Sequence, residues 1–302
     1  MHKTLKGKSF TWWHFPNLEE VDFGVLQKEF KFHPLDFDDL REENEIPKLD
    51  SYKYYLFCIL NIPQIRMKDG LVHRSNLAVF IGKDYVVTVT RSPIDSVDRF
   101  FSRAGKSSGL RRDALGKSTG YFLYKLLDYA FRDAKVVLRE LVRETEHVES
   151  ALYDSHSKTI TRRLGILRRN ILYLRHIIDP QRQIMDHIAA SGKTFVPKEL
   201  LPYFDDVQDT LDGVSIVTEN LKNIITGLFD VNEAFLSHRT NEIIRLLTVI
   251  SVILMPPTLI TSYYGMNIAN LPLSGDVVVV TGIILLSLAA LWLFIMRIDR
   301  KG

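Results

Sequence analysis

Seven residues near the C-terminus, Asn241, Ile244, Thr248, Ser251, Met255, Thr258 and Ser262, recur at intervals of three and four. That spacing places them on one face of a helix. Most are polar, yet the surrounding stretch from Ile243 to Tyr263 carries a single charge, Arg245. Hydroxyls facing lipid gain nothing, whereas hydroxyls facing identical neighbours around an axis would line a wet path. The same hydroxyls could instead bond back to their own helix or join helices together, and spacing alone does not separate the two readings. A one-helix seam cannot enclose a pore, so the wet path requires a ring of subunits. Pro256 and Pro257 remove two backbone donors and free carbonyls upstream, which a hydrated lumen would satisfy. The opposing positions Leu246, Val249, Ile250, Ile253, Leu254 and Leu259 form the apolar set expected against lipid or a second helix.

This face is positioned by a membrane hairpin. Downstream of the polar turn Tyr264-Gly265-Met266-Asn267, the run from Val277 to Met296 has no charge over about twenty residues, enough to span roughly 30 Å of hydrocarbon. Arg239 and Arg245 precede the first span and Arg297, Arg300 and Lys301 follow the second, while the connecting loop has no basic residue. The positive-inside rule then puts both termini in the cytoplasm. The first span is the end of a longer pattern: Val207, Leu211, Val214, Leu221, Leu228 and Phe235 recur at three, four or seven, and no proline intervenes between Phe204 and Pro256. A helix from Asp205 to Tyr264 would be roughly 90 Å long.

About a quarter of the 302 residues are charged, almost all before residue 246, so a charged body precedes an apolar tail. The net charge of +3 implies no nucleic-acid partner by itself. Cys58 is the only cysteine, which excludes internal disulfides and thiolate zinc sites. Met1 to Lys8 is basic, but no apolar core follows, so no secretory signal is read there. From Phe10 to Arg91 the pattern is mixed α and β. Asn17 can cap a short helix, Tyr52 to Ile62 reads as a buried strand, and Leu77–Ile81 with Tyr85–Thr90 as a β-hairpin. A helix from Ser92-Pro93 to about Ala104 leads to a polar link, Gly105 to Gly120. There Gly116-Lys117-Ser118-Thr119 resembles the end of a phosphate-binding loop, but Arg111 stands where that motif needs glycine, so a nucleotide is not expected. Ser118 or Thr119 would cap the next helix instead. Two long helical patterns follow, Tyr121 to Tyr153 and Ile160 to Ala190. The second carries Arg162, Arg163, Arg168, Arg169, Arg175 and Arg182, which are read as facing water and acids of the preceding helix, among them Glu140 and Glu144. No nucleophile–base pair emerges, so an enzyme is not expected. The expected partition is an α/β domain over 1–113, a long-helix stalk over 114–242 and the transmembrane hairpin over 243–302.

Tyr264-Gly265-Met266-Asn267, on a segment reading from Thr240 to Thr248 and on through Met255-Pro256, resembles the signature region of the CorA family of divalent-cation transporters. His33-Pro34-Leu35 with Pro47-Lys48 and Tyr54–Phe57 is similar to that family's N-terminal domain, and Tyr203 to Asp209 to the start of its stalk helix. The resemblance implies a funnel-shaped homopentamer in the cell membrane, conducting Mg²⁺ and with it Co²⁺ or Ni²⁺. It places Gly265, Met266 and Asn267 in an outer ring, Asn241, Thr248, Ser251 and Thr258 along the pore, and Ile244, Leu247 and Met255 at an apolar constriction. The family has methionine where Ile244 stands. It also implies cytoplasmic Mg²⁺ sensing by carboxylates apposed across subunits, with Asp206 at one position and its partner in Asp95–Asp98, Asp95 being preferred. Helix dipole stabilisation alone would equally account for Asp205 and Asp206. The basic helix and an outer loop with one acid, Asp276, depart from the family pattern. The zinc-transporting branch shares this architecture, although none of the nine histidines pair at i,i+3 or i,i+4. A non-conducting membrane-tethered scaffold would leave the polar seam without a purpose.

Overall fold

The computed structural model describes residues 2–42, 46–66, 68–154, 158–266 and 277–299. It divides into two compact units, Met1–Asp230 and Val231–Gly302.

The first unit is built on six strands: β1 (Lys3–Lys6), β2 (Thr11–Phe15), β3 (Lys48–Ser51), β4 (Leu56–Arg66), β5 (Leu71–Ile81) and β6 (Tyr85–Thr90). Their order is β1-β2-β6-β5-β4-β3, with β2 and β6 parallel and every other pair antiparallel. The central strands β4, β5 and β6 are buried over most of their length and read as nearly continuous apolar runs, while the edge strands β1 and β3 stay largely uncovered. Alternation still sorts the side chains. Phe15, Phe57, Ile59, Phe80, Val87 and Val89 pack against Phe23 and Leu26 of α1 (Glu20–Glu29) and Phe37 and Leu40 of α2 (Pro34–Arg41). On the other side, Trp12 meets Phe100 and Phe101 of α3 (Asp95–Lys106) and Phe122 of α5 (Thr119–Asp154). Helix α6 (Lys158–Ala189) is stitched to the sheet by amides: Gln181 accepts from Asn61 N at 3.0 Å and donates to Asn61 O at 2.6 Å, while Asn170 accepts from Val72 N and donates to Gly70 O.

Several sequence expectations are sharpened. Asn17 does not cap a helix; it takes a left-handed conformation, φ 54°, and α1 starts three residues later behind a Glu19–Asp22 capping box. The strand expected to stop at Pro63 continues to Arg66, and β5 begins at Leu71 rather than Leu77. The presumed link Gly105–Gly120 contains a further helix, α4 (Ser108–Leu115). Ser118 does cap α5, its Oγ accepting from Tyr121 N at 3.2 Å, whereas the Thr119 hydroxyl is turned inward to Gly82 O.

Helix α7 (Leu201–Tyr264) is continuous for 64 residues and crosses the division between the units. Inside the first unit Phe204, Val207, Leu211, Val214, Thr218, Leu221, Ile225 and Leu228 are buried. Their alternating three and four spacing is the seam of coiled-coil packing. Two of the α6 arginines are answered by α7. Arg175 pairs with Glu219 and Asp179, and Arg182 with Asp212, leaving Arg163–Glu144 as the pair to the preceding helix that was expected from the sequence. Among the described residues, α7 is the helix that is long and apolar enough to cross a bilayer. In α8 (Val277–Asp299) the apolar run Val277–Leu293 is shorter.

Candidate functional site

At about 100° per residue, Asn241, Thr248, Ser251, Met255, Thr258 and Ser262 all fall within about 60° of Ile244 around α7, with Leu247 at the margin. Leu259 also lies at that margin rather than opposite it. Thr248, Ser251 and Thr258 each donate back to the carbonyl four residues earlier, to Ile244, Leu247 and Leu254, at 2.7–2.9 Å. The single chain thus shows the back-bonded arrangement that the sequence left as one alternative. Its consequence is directional: the hydroxyl proton is occupied, and what each oxygen still presents outward is lone pairs. A hydrated cation turns its water protons outward, so an acceptor-only surface suits its shell.

Ile244 is 55% exposed, Leu247 63% and Met255 72%, and Leu246, Leu254 and Leu259 outside the seam are equally uncovered. One face, at Val249, Ile253, Pro256, Pro257 and Ile260, is half-buried, and the large apolar side chains left exposed elsewhere mark a surface suited to a further covering. Pro256 and Pro257 sit inside α7, so the carbonyls of Val252 and Ile253 lose their helical donors. The Thr261 hydroxyl donates to Pro257 O at 2.9 Å and lies 3.1 Å from Thr258 O.

Helix α7 ends at Tyr264, and Gly265 N closes the last turn onto Thr261 O at 2.8 Å. A β-carbon at Gly265 would stand 3.0 Å from that carbonyl, tighter than ordinary contacts, so a side chain there would need the turn to give by a few tenths of an ångström. Met266 follows, 43% exposed. Asn267 lies outside the described residues.

Asp95 and Asp206 are both exposed, at the first turn of α3 and near the start of α7. Asp98 differs. Its carboxylate is 2.9 Å from Nε2 of the buried His14, whose Nδ1 is 2.9 Å from Thr88 Oγ1. That hydrogen bond, followed by the attraction of the imidazole, holds the Asp98 carboxyl below the usual range despite the opposing cost of burial. Asp98 is thereby committed within its own chain, and Asp95 is the acid of this turn left to face outward. Asp95 lines a cleft with Asp133, whose carboxyl is pushed up chiefly by burial.

A carboxylate group that the sequence reading missed lies between α2 and β3. Oxygens of Asp36, Asp39 and Asp50 come within 4.8 Å of one another. Lys48 Nζ bonds to Asp39 and, at 2.8 Å, to Asp50, while Tyr52 and Tyr55 donate to Asp36 at 2.6 Å. Burial raises the Asp36 carboxyl. The cation position within the group is taken by an ammonium. The clue in the sequence was the acid run Asp36–Asp39 behind His33-Pro34, but only the folded β3 brings Asp50 and Lys48 to it.

The chain is similar in fold, over 99% of its length and 93% of the other chain, to the complete structure of a CorA magnesium transporter from Methanocaldococcus jannaschii, with a TM-score of 0.83 at 19% identity. It is also similar to the ZntB cytoplasmic domain of Vibrio parahaemolyticus, with a TM-score of 0.62 at 11% identity, over 78% of this chain and 89% of that one. At those identities both likenesses speak to fold. In sequence, the chain is 28% identical over 265 residues to the cobalt/magnesium transport protein CorA of Thermotoga maritima, covering 87% of this chain and 74% of that protein. A family model described as CorA-like Mg²⁺ transporter protein matches residues 7–300, and on that match the chain belongs to the CorA-like Mg²⁺ transporter family.

Proposed function

We propose that this chain is one subunit of a membrane channel that admits Mg²⁺, and Co²⁺ with it, through a path lined by the α7 seam. The observation that carries this reading is the family match across residues 7–300, joined to a membrane helix whose one polar face presents hydroxyl oxygens. Mg²⁺ gives up water reluctantly, so neutral acceptors that hold its shell are better suited to conduction than carboxylates that would strip and retain the ion. Gly265, Met266 and Asn267 form the outer ring in this reading, with Asn267 amides meeting the hydrated ion. Asn241, Thr248, Ser251 and Thr258 line the path, and Ile244, Leu247 and Met255 close it by dewetting. For a divalent ion, 100 mV negative inside contributes roughly 4.6 kcal/mol, so inward flux needs no nucleotide.

The bare apolar surface of α7 supports a ring of copies, read as a pentamer, in the cell membrane with both termini on the cytoplasmic side. Residues 1–113 act as the sensing domain, 114–242 as the stalk and 243–302 as the conducting hairpin. Mg²⁺ bridging Asp206 to Asp95 of a neighbouring copy would hold the closed state, because apposed carboxylates repel until a hard cation joins them.

The test is flux into liposomes. Mg²⁺ entry driven by an inside-negative potential, without a pH gradient, is expected. Entry of Zn²⁺ alone, dependent on a proton gradient, would transfer the chain to zinc transport, and flux of neither would make it a tether.

A further inference from the structure

The first unit carries a cleft of about 710 Å³ lined by Lys6, Lys8, Lys106, Arg111, Arg112 and Lys117, with no acidic side chain in its wall. Three separate segments supply these cations: the β1–β2 turn, the α3–α4 junction and the α4–α5 junction. The walls are held firmly. Gly7 packs so closely on α4 that a β-carbon there would stand 2.5 Å from Leu115 O, and Lys8 N donates to the same oxygen at 3.3 Å. The Arg111 side chain ties α4 to the end of α3, donating to Ala104 O at 3.1 Å and Gly105 O at 2.5 Å. Lys117 lies over the Tyr121 ring, 3.8 Å from its centre. The one acid of α4, Asp113, is turned to Lys125 and Tyr121.

Lys6, Lys8, Lys106 and Arg112 are exposed and make no ion pair with any described residue. Arg163, Arg175, Arg182 and Lys48 of the same unit, by contrast, each have a carboxylate partner. Gathering like charges in one rigid hollow costs free energy that an anion would recover. The volume is that of a small-ligand pocket, and arginine and lysine together are the side chains that grip phosphate oxygens.

We propose that this cleft binds an oligophosphate anion, of the kind presented by inorganic triphosphate or a nucleoside triphosphate, and prefers its metal-free form. It does so by charge and not as a phosphate-binding loop, since Arg111 replaces the glycine and helix α4, not a strand, leads into Gly116. A wall without carboxylates offers a bound metal ion nothing, and Mg²⁺ on the phosphates lowers the charge that the cleft attracts. Occupancy therefore rises as free Mg²⁺ falls. The inference stands on the cleft alone and does not depend on transport.

The experiment is calorimetric titration of the full chain in detergent with sodium triphosphate and, separately, ATP, with and without excess MgCl₂. Both anions should bind saturably, weaken steeply with added salt, and bind less tightly when Mg²⁺ is present; the tighter of the two names the source. The exposed triple variant Lys6→Gln/Lys106→Gln/Arg112→Gln should lose at least about tenfold in affinity while melting like the parent, Arg111 being left intact to hold α4. Lys8→Glu alone should weaken binding in the same direction should the triple variant fold poorly. Absence of saturable binding by either anion, affinity unchanged in both variants, equal affinity with Mg²⁺, or binding confined to RNA or anionic vesicles would each overturn the proposal.

Discussion

The two halves of α7 obey the same spacing and carry opposite chemistry. From Phe204 to Leu228 the three–four seam is apolar but for Thr218, and buried. From Asn241 to Ser262 a three–four seam is mostly polar, and its apolar members Ile244 and Met255 are uncovered. In the first unit each chain satisfies itself: Asn61, Asn170, Gln181 and His14 all find partners within it. In the second unit Thr248, Ser251 and Thr258 bond back to their own helix, and apolar side chains such as Ile244, Leu247 and Met255 are exposed. The lesson is that the core of the first unit closes within one chain, whereas much of the apolar surface of the second unit is left exposed by it.

Breaking the self-sufficiency of the first unit should have the largest effect. Trp12 is fully buried, donates to Thr88 Oγ1 at 2.9 Å and packs on three phenylalanines, so Trp12→Ala should cost about 3–5 kcal/mol, measured as a large fall in the melting temperature of the first unit. A mild effect would mean that the aromatic layer between β2, α3 and α5 is not the centre of the core.

Next comes the His14–Asp98 bond, where Asp98→Asn should cost about 1.5–3 kcal/mol, the range for a hydrogen bond to a charged group. Because the Asp98 carboxyl is held below its ordinary value of 3.8, its contribution is present above that pH and is lost as the pH falls through the folded-state value. Chemical denaturation across pH should therefore show parent and Asp98→Asn converging below about pH 3.8. Persistence of the gap at lower pH would contradict the assigned cause.

In the second unit, Ile244→Asn should wet the constriction and raise basal Mg²⁺ flux in liposomes by about tenfold, equivalent to about 1.4 kcal/mol off the barrier, without altering the melt of the first unit. Unchanged flux would remove Ile244 from the gate. The smallest effect belongs to Arg163→Ala. Its pair with Glu144 is solvent-exposed, and its loss should change stability by about 0–1 kcal/mol, sharpening the contrast with the buried contacts.

How much of this was legible beforehand follows the same division. Period and length placed α5, α6, α7 and the β5–β6 hairpin, because each long element repeats its own signal. The parallel pairing of β2 with β6 was not readable, since Thr11–Phe15 is five residues long and its partner lies over seventy residues away. Helix α4 was hidden by Gly109 and Gly116 in a polar stretch, where the Ser107 cap and Arg111 contacts decide the conformation. The seam was legible as a pattern, but its rotamers were not. Spacing says which residues share a face, whereas the bond from Thr248 to Ile244 O depends on a torsion about one side-chain bond. The carboxylate group at Asp36, Asp39 and Asp50 required the register of β3, which no local signal provides.

The central claim is that the α7 seam faces water in the assembled protein while its opposite face does not. The single native thiol, Cys58, is buried and pushed up to about 12 by that burial, so a Cys58→Ser background is a clean start. In it, single cysteines at Ser251 and at Ile253 can be exposed to a membrane-impermeant thiol reagent during Mg²⁺ flux. The account predicts that Ser251→Cys is labelled and its flux blocked while Ile253→Cys is untouched; labelling of Ile253→Cys with Ser251→Cys protected would contradict it.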